Sequence, residues 1–346
     1  MIRVLIVDDS KTHRTALARI IERAPGFEVV GSAEDGEAGV ELVHRLKPDI
    51  VLMDVNMPRL DGMGATERIM AEKPTPILLM TASENLEGEQ DLAWRAIDRG
   101  ALELIPKPAT LTPEDAASKD ILARLKLLAG VPVISHPRGR RAPVVAGAKR
   151  TTSSIIRRAR RVVAVGASTG GPRALKQFLG GLPAELGAGI AIVQHIDGLF
   201  VDGLVKWLAE DNPLPVAIAA DGRGIHENEV LVAPSGFYME IGPDRRVVLK
   251  PGKTEGTTHC PSADRLLRTV ALSYGPRAVG VVLTGMGDDG ARGLLAIKEA
   301  GGTTFAQDET TSVVYGMPRA AKLLGAATLV LPLGQIADAV ARACRG

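Results

Sequence analysis

Disulfide pairs, membrane-length apolar runs, and any acid or aromatic residue in its one strongly basic stretch are missing from this chain, and each absence removes a class of function. Cysteine occurs twice in 346 residues, at Cys260 and Cys344. Two distant thiols form neither a disulfide framework nor a metal-type spacing, so a reducing compartment is the better fit. No apolar run approaches the roughly 20 residues that cross a bilayer, and the chain opens directly on an apolar strand pattern. A cytoplasmic protein without membrane insertion is expected. No self-similarity of the short solenoid periods is present.

Charge is segregated. The formal net charge is +2, yet residues 1–130 hold 16 basic against 22 acidic side chains, residues 131–161 nine basic and no acidic ones, and the remainder 17 against 18. A basic stretch without aromatics, flanked by neutral or acidic sequence, reads as a solvated linker rather than a nucleic-acid or membrane-surface patch. Its proline, glycine, serine and arginine follow no sustained period.

The length suggests two domains. Short apolar runs (IRVLIV, DIVLMD, PILLM) alternate with helix-like stretches (Thr12 to Arg23, Asp35 to Leu46), stop, and resume after the linker as RVVAVGAS, GIAIVQHI, EVLVAPS, AVGVVLTG and GGTTFAQ. Such alternation implies parallel sheets covered by helices on both faces. The expected organisation is an α/β domain over residues 1–127, a basic flexible linker over 128–160 and a second α/β domain over 161–346.

In doubly wound sheets the chemistry lies beyond the carboxyl ends of the strands. In the first domain those ends are all polar: Asp8 and Asp9, Asp54, Thr81 and Lys107. Three converging carboxylates call for a hard cation, and Mg²⁺ suits an oxygen donor set. Asp54 could then attack a phosphoryl donor while the cation and Lys107 neutralise the transferring oxygens. Singly, each residue also fits a helix cap or a turn; together they resemble the receiver domain of two-component response regulators, roughly over residues 1–127. The resemblance implies a flavodoxin-like fold, Asp54 as phosphoacceptor, Asp8, Asp9 and Asp54 as metal ligands, a main-chain metal contact from Asn56, and Thr81 and Lys107 against the phosphoryl group. Where receivers usually carry an aromatic, three residues before the lysine, this chain has Leu104.

In the second domain Gly166-Ala-Ser168-Thr-Gly170 fits G-x-S-x-G at a strand-to-helix turn, followed by Pro172 at a first helical position. A helix N-terminus there serves an oxyanion or a bound phosphate equally well. A dinucleotide site would need glycine where Ser168 stands. A serine hydrolase needs a histidine and a carboxylate at neighbouring strand ends: His195 ends AIVQH, and Asp288 and Asp289 follow VVLTGMG. A rival set in hydrolase order is Ser168, Asp221 or Asp244, and His259.

The segments VGASTGGP, VQHI, HCPSADRL, LTGMGDDGA and AQDETTSVVYGMPRAA closely resemble the catalytic domain of the chemotaxis protein-glutamate methylesterase (CheB) family, over Val162 to Arg345, and the preceding receiver matches that family's regulatory domain. The resemblance implies a Rossmann-like catalytic domain with Ser168 as nucleophile, His195 as base and Asp289 as its orienting acid. It also implies the Met286 main-chain N–H as an oxyanion donor, Thr169 near the histidine, and no cofactor for ester hydrolysis. A histidine kinase would be the phosphodonor and methyl-accepting chemoreceptors the substrate, with glutamate methyl esters hydrolysed and receptor glutamines deamidated; no nucleic-acid partner is expected. Asp288 departs from the family pattern, and a second carboxylate beside Asp289 is expected to raise the pKa of one of the two. The alternative is a response regulator whose second domain is a non-catalytic binding module.

Overall fold

In a computed structural model, residues 1–81, 86–108, 110–112, 114–133, 157–252 and 259–345 are described, with backbone only for 86–91. The chain divides into two compact units, Met1–Arg141 and Ala142–Gly346. Most of the expected linker lies outside the described residues. Its last part does not: Ala159 N–H donates to Ile225 and Glu227 N–H to Arg157, so backbone pairing of the second unit begins by Arg157.

The first unit holds β1 (Ile2–Val7), α1 (Lys11–Arg23), β2 (Phe27–Ala33), α2 (Gly36–Leu46), β3 (Ile50–Asp54), α3 (Gly62–Glu72), β4 (Ile77–Thr81), α4 (Leu86–Arg99), β5 (Glu103–Pro106) and α5 (Ala116–Leu128). Its five strands are ordered β2-β1-β3-β4-β5, and every pairing is parallel. β3 and β4 are buried along their whole length, as strands covered on both faces must be. Side-chain caps start the helices: Ser10 accepts from His13 N–H, Asp35 from Ala38 and Asp61 from Gly64.

The second unit runs β6 (Val162–Ala167), α6 (Gly171–Gly180), β7 (Gly189–Gln194), α7 (Val201–Ala209), β8 (Val216–Ile218), β9 (Val230–Val232), β10 (Phe237–Ile241), β11 (Val247–Pro251), α8 (Ala263–Tyr274), β12 (Ala278–Val282), α9 (Ala291–Glu299), β13 (Thr303–Gln307), α10 (Met317–Leu323), β14 (Leu329–Leu331) and α11 (Leu333–Arg345). Seven strands form one sheet, β14-β13-β12-β6-β7-β9-β8, again parallel throughout. β10 and β11 form a separate antiparallel hairpin, which the sequence pattern did not announce.

The chain builds outward from β6 in both directions, so β6 and β12 flank the topological switch point, where α/β sheets place their sites. α6 packs on this sheet through Ala174, Leu175, Phe178 and Leu179, apolar positions spaced to fall on one helix face. Phe178 is fully buried, and its replacement by alanine is expected to cost about 3–5 kcal/mol. Among the described residues no helix is long and apolar enough to cross a membrane.

Candidate active site

At the carboxyl edge of the first sheet, Asp8, Asp9 and Asp54 each bring an oxygen within 4.8 Å of the others. Asp8 and Asp54 are buried and Asp9 is exposed. Lys107 Nζ lies 2.5 Å from Asp54 Oδ2 and 3.0 Å from Asp8 Oδ2. Burial pushes the Asp54 carboxyl up to about 6; Lys107 opposes this and the Asp8 charge adds to it. Burial acts on Asp8 in the same sense, but His13 and Lys107 hold its pKa below the usual range. One ammonium therefore serves two buried carboxylates, with a third beside them, and this all-oxygen donor set fits a hard cation such as Mg²⁺.

Asn56 N–H lies 3.3 Å from Asp54 Oδ1, and Thr81 is buried at the end of β4 with its carbonyl accepting from Lys107 N–H at 2.8 Å. Leu104 is buried in β5 opposite Leu79. His13 was not foreseen: its Nδ1 is 2.7 Å from Asp8 Oδ2. It stands in α1, five residues after Asp8, where no motif marks it.

At the switch point of the second sheet, β12 pairs with β6 as far as Val282 opposite Gly166, so the loops that follow run side by side. Ser168 N–H donates to the Thr284 carbonyl at 3.0 Å, and Thr284 Oγ1 donates to the Thr169 carbonyl at 2.9 Å. The turn into α6 is made by Gly170, which caps the helix at φ +73°, where a side chain would also strike Val313. Gly285 permits the approach of the second loop, since a Cβ there would lie 2.6 Å from that of Ser168. Met286 follows Gly285 directly in the chain. Neither Thr169 N–H nor Met286 N–H is hydrogen-bonded to any described residue.

His195 follows β7, its N–H on the Ala167 carbonyl at 2.9 Å. Buried Gln194 ties it to the elbow, its Nε2 donating to the Ser168 carbonyl at 2.8 Å and the His195 carbonyl at 2.9 Å. His195 Nε2 lies 2.8 Å from Asp289 Oδ2, while Nδ1 is buried and has no partner among the described residues. No hydrogen bond joins Ser168 to His195 among the described residues.

Asp289 also accepts from Ser262 Oγ (3.0 Å) and from the Ala263 and Asp264 N–H groups (2.7 and 2.9 Å), capping α8. Asp264 returns the arrangement, accepting from Gly290 N–H at 2.9 Å and Gly293 N–H at 2.7 Å and so capping α9. Each helix is capped by a carboxylate from the start of the other. Burial works against ionising Asp289, but His195 and the Asp264 and Ala263 amides hold its pKa below the usual carboxylate range.

Two family models match the chain: CheB methylesterase over residues 163–340 and response regulator receiver domain over residues 4–114. A protein named protein-glutamate methylesterase/protein-glutamine glutaminase 2, from Anaeromyxobacter dehalogenans (strain 2CP-C), is 45% identical over 98% of this chain and 96% of its own. The chain belongs to the CheB methylesterase family. A second such protein, from Syntrophus aciditrophicus (strain SB), is 42% identical over 97% of each chain. The crystal structure of the Thermotoga maritima CheB methylesterase catalytic domain matches 53% of this chain and 97% of that one, at 34% identity and a TM-score of 0.50.

Within this member of the CheB methylesterase family, two expectations need correction. The carboxylate pushed up is Asp264, by burial and, past the opposing Gly293 amide, by the charge of Asp289. Asp289 itself is lowered: burial opposes its ionisation, but the His195 hydrogen bond and the Asp264 and Ala263 amides outweigh it, while Asp288 is exposed. The rival set is not assembled either: Asp221 accepts from Leu249 N–H, Asp244 pairs with Arg246, and both are exposed. His259 instead stacks on His195, with ring centroids 4.5 Å apart and planes 8° from parallel. Ser262 and Asp264 lie within HCPSADRL but were given no role, for want of an apolar strand before them, although Ser-Ala-Asp after a proline is a legible helix start.

Proposed function

We propose that this chain is a phosphorylation-controlled serine esterase that hydrolyses glutamate γ-methyl esters, and deamidates glutamines, on methyl-accepting chemoreceptors in the cytoplasm. The observation that carries the reading is the division of labour on one imidazole: Nε2 is engaged by an ionised, three-times-capped carboxylate, which leaves Nδ1 as the basic nitrogen. Asp289 fixes the tautomer with hydrogen on Nε2, and His195 Nδ1 takes the Ser168 proton as Oγ attacks the ester carbonyl. The Thr169 and Met286 N–H groups are free to receive the developing oxyanion. His195 returns the proton to the leaving methoxide, methanol departs, and water attacks the acyl-serine by the reverse proton path to release glutamate. With a glutamine side chain, ammonia leaves instead.

In the first unit, Asp54 receives the phosphoryl group from a histidine kinase. Asp8, Asp9, Asp54 and the Asn56 main chain would hold Mg²⁺, which neutralises phosphoryl oxygens when bound. Lys107 and Thr81 contact the transferred group. A purely binding second domain has no use for a tautomer-fixing carboxylate. Methanol release from methylated receptor tests the chemistry, with Ser168→Ala as the deciding variant. The control is tested by comparison with a fragment beginning near residue 155: it should turn over regardless of acetyl phosphate, whereas the full chain should be slower and stimulated by it. Equal basal rates would leave the receiver without a restraining role.

A further inference from the structure

The triad reading accounts for His195 but leaves His259 unused. His259 is not in the strand framework; it stands before Pro261 and the start of α8, and its ring lies flat on that of His195 at 4.5 Å between centroids. A hydrogen bond at one ring nitrogen holds only one point of an imidazole. The ring can still tilt, and water can still reach an uncovered face. A flat neighbour removes that freedom and that water, and it presents a π-face to the charge His195 acquires when it takes a proton.

We propose that His259 is a positioning residue: stacked flat on His195, it holds that ring with Nε2 on Asp289 and Nδ1 held out for the serine proton. The proposal rests on the triad reading. Three features support it. Nδ1 is buried and has no partner among the described residues, so ring orientation presents it. The charged and titratable groups that act on His259 are His195, Asp289 and Asp288, and burial followed by His195 keeps its pKa below the usual imidazole range while the two carboxylates pull the other way. Burial and His195 thus both disfavour a second positive charge stacked on His195. Finally, a Cβ at Gly287 would come no closer than 3.9 Å to His259 Nε2, so the ring fits beside the Met286 loop without being forced there.

The test uses the full chain, methanol release from methylated receptor, and ¹⁵N imidazole spectra. His259→Ala should lower kcat about tenfold with KM little changed, and should convert the His195 signals from the tautomer protonated on Nε2 to an averaged pair. His259→Phe, flat and uncharged, should restore both kcat and the single tautomer. His259→Lys, a fixed cation over the ring, should fall below alanine. A raised KM with unaltered kcat and unaltered His195 spectrum in His259→Ala would overturn the proposal, making His259 a wall of the substrate groove. Failure of His259→Phe to recover either readout would overturn it as well. Ser168→Ala, run in parallel, separates the two levels: if it keeps turnover the triad reading itself fails, whereas if it is inactive the His259 result stands on its own.

Discussion

Asp54 in the first unit and Asp289 in the second both sit at the carboxyl edge of a parallel sheet, 2% and 7% exposed, yet the pKa of one rises to about 6 and that of the other falls below the usual range. The difference is in who answers the charge. Asp289 has a histidine, a serine hydroxyl and two amides of a helix N-terminus, all supplied by its own unit. Asp54 has one ammonium, shared with Asp8, and one longer amide contact, from Asn56. A carboxylate that only orients an imidazole can be satisfied permanently, because nothing must arrive or leave. A carboxylate that accepts a phosphoryl group has to stay under-compensated until a cation and a phosphodonor come. The second pocket is therefore finished and the first is waiting.

The harshest way to break the finished pocket is Ser168→Ala. Removing the nucleophile of a triad costs about 10⁶ in kcat, so methanol release should drop about a millionfold while both units keep their thermal transitions. Asp289→Asn comes next. Loss of the orienting acid costs roughly 10⁴ in kcat by leaving the wrong tautomer, and an amide has one oxygen to offer four donors. It should also cost about 1–2 kcal/mol through the α8 cap. The pH dependence follows from the sign of the shift. The folded pKa is depressed, so the stabilising contribution is present above the ordinary carboxylate value near 3.9 and is lost as pH falls through the lower folded value. Calorimetry of the second transition should accordingly show a shallower acid loss in Asp289→Asn than in the parent. Equal slopes would remove Asp289 from the stability of the second unit.

Asp54→Asn breaks the waiting pocket. An amide cannot form the acyl phosphate and weakens cation binding, so acetyl-phosphate labelling and stimulation of the esterase should both disappear while unstimulated methanol release persists. Label that survives the substitution would move the acceptor to another residue.

Why one pocket was more fully legible in the sequence than the other follows from how each is built. Strand ends are visible as apolar runs that stop at polar residues, and that rule alone reached Asp8, Asp54, Thr81, Lys107, Ser168 and His195. What it cannot reach are partners brought in by helix packing. Asp264 meets Asp289 only because α8 and α9 start side by side, and His13 meets Asp8 across a turn of α1. The same blindness produced the wrong neighbour for Asp289, since adjacency in sequence suggested Asp288. β2 went unremarked because only its first and last residues are buried, and the hairpin β10–β11 because it joins neither parallel sheet.

The smallest expected effect sharpens the comparison at Leu104. This side chain is buried in β5, opposite Leu79 and three residues before Lys107, in the place where receivers usually carry an aromatic. A buried leucine has no ring to swing between an inner and an outer position, so the state of the waiting pocket must be transmitted by other groups or less strongly. Leu104→Phe supplies the ring but overfills a packed site, at about 1–3 kcal/mol if the ring stays inside. The expected outcome is a changed ratio of methanol release with and without acetyl phosphate, with unstimulated kcat and Asp54 labelling unaltered and a modest drop in the first unit's transition. An unchanged ratio would show that this unit signals without an aromatic at this position and that the leucine is a packing choice. A changed unstimulated kcat would mean that the substitution reaches the finished pocket even without phosphorylation, and the clean separation drawn between the two pockets would not hold.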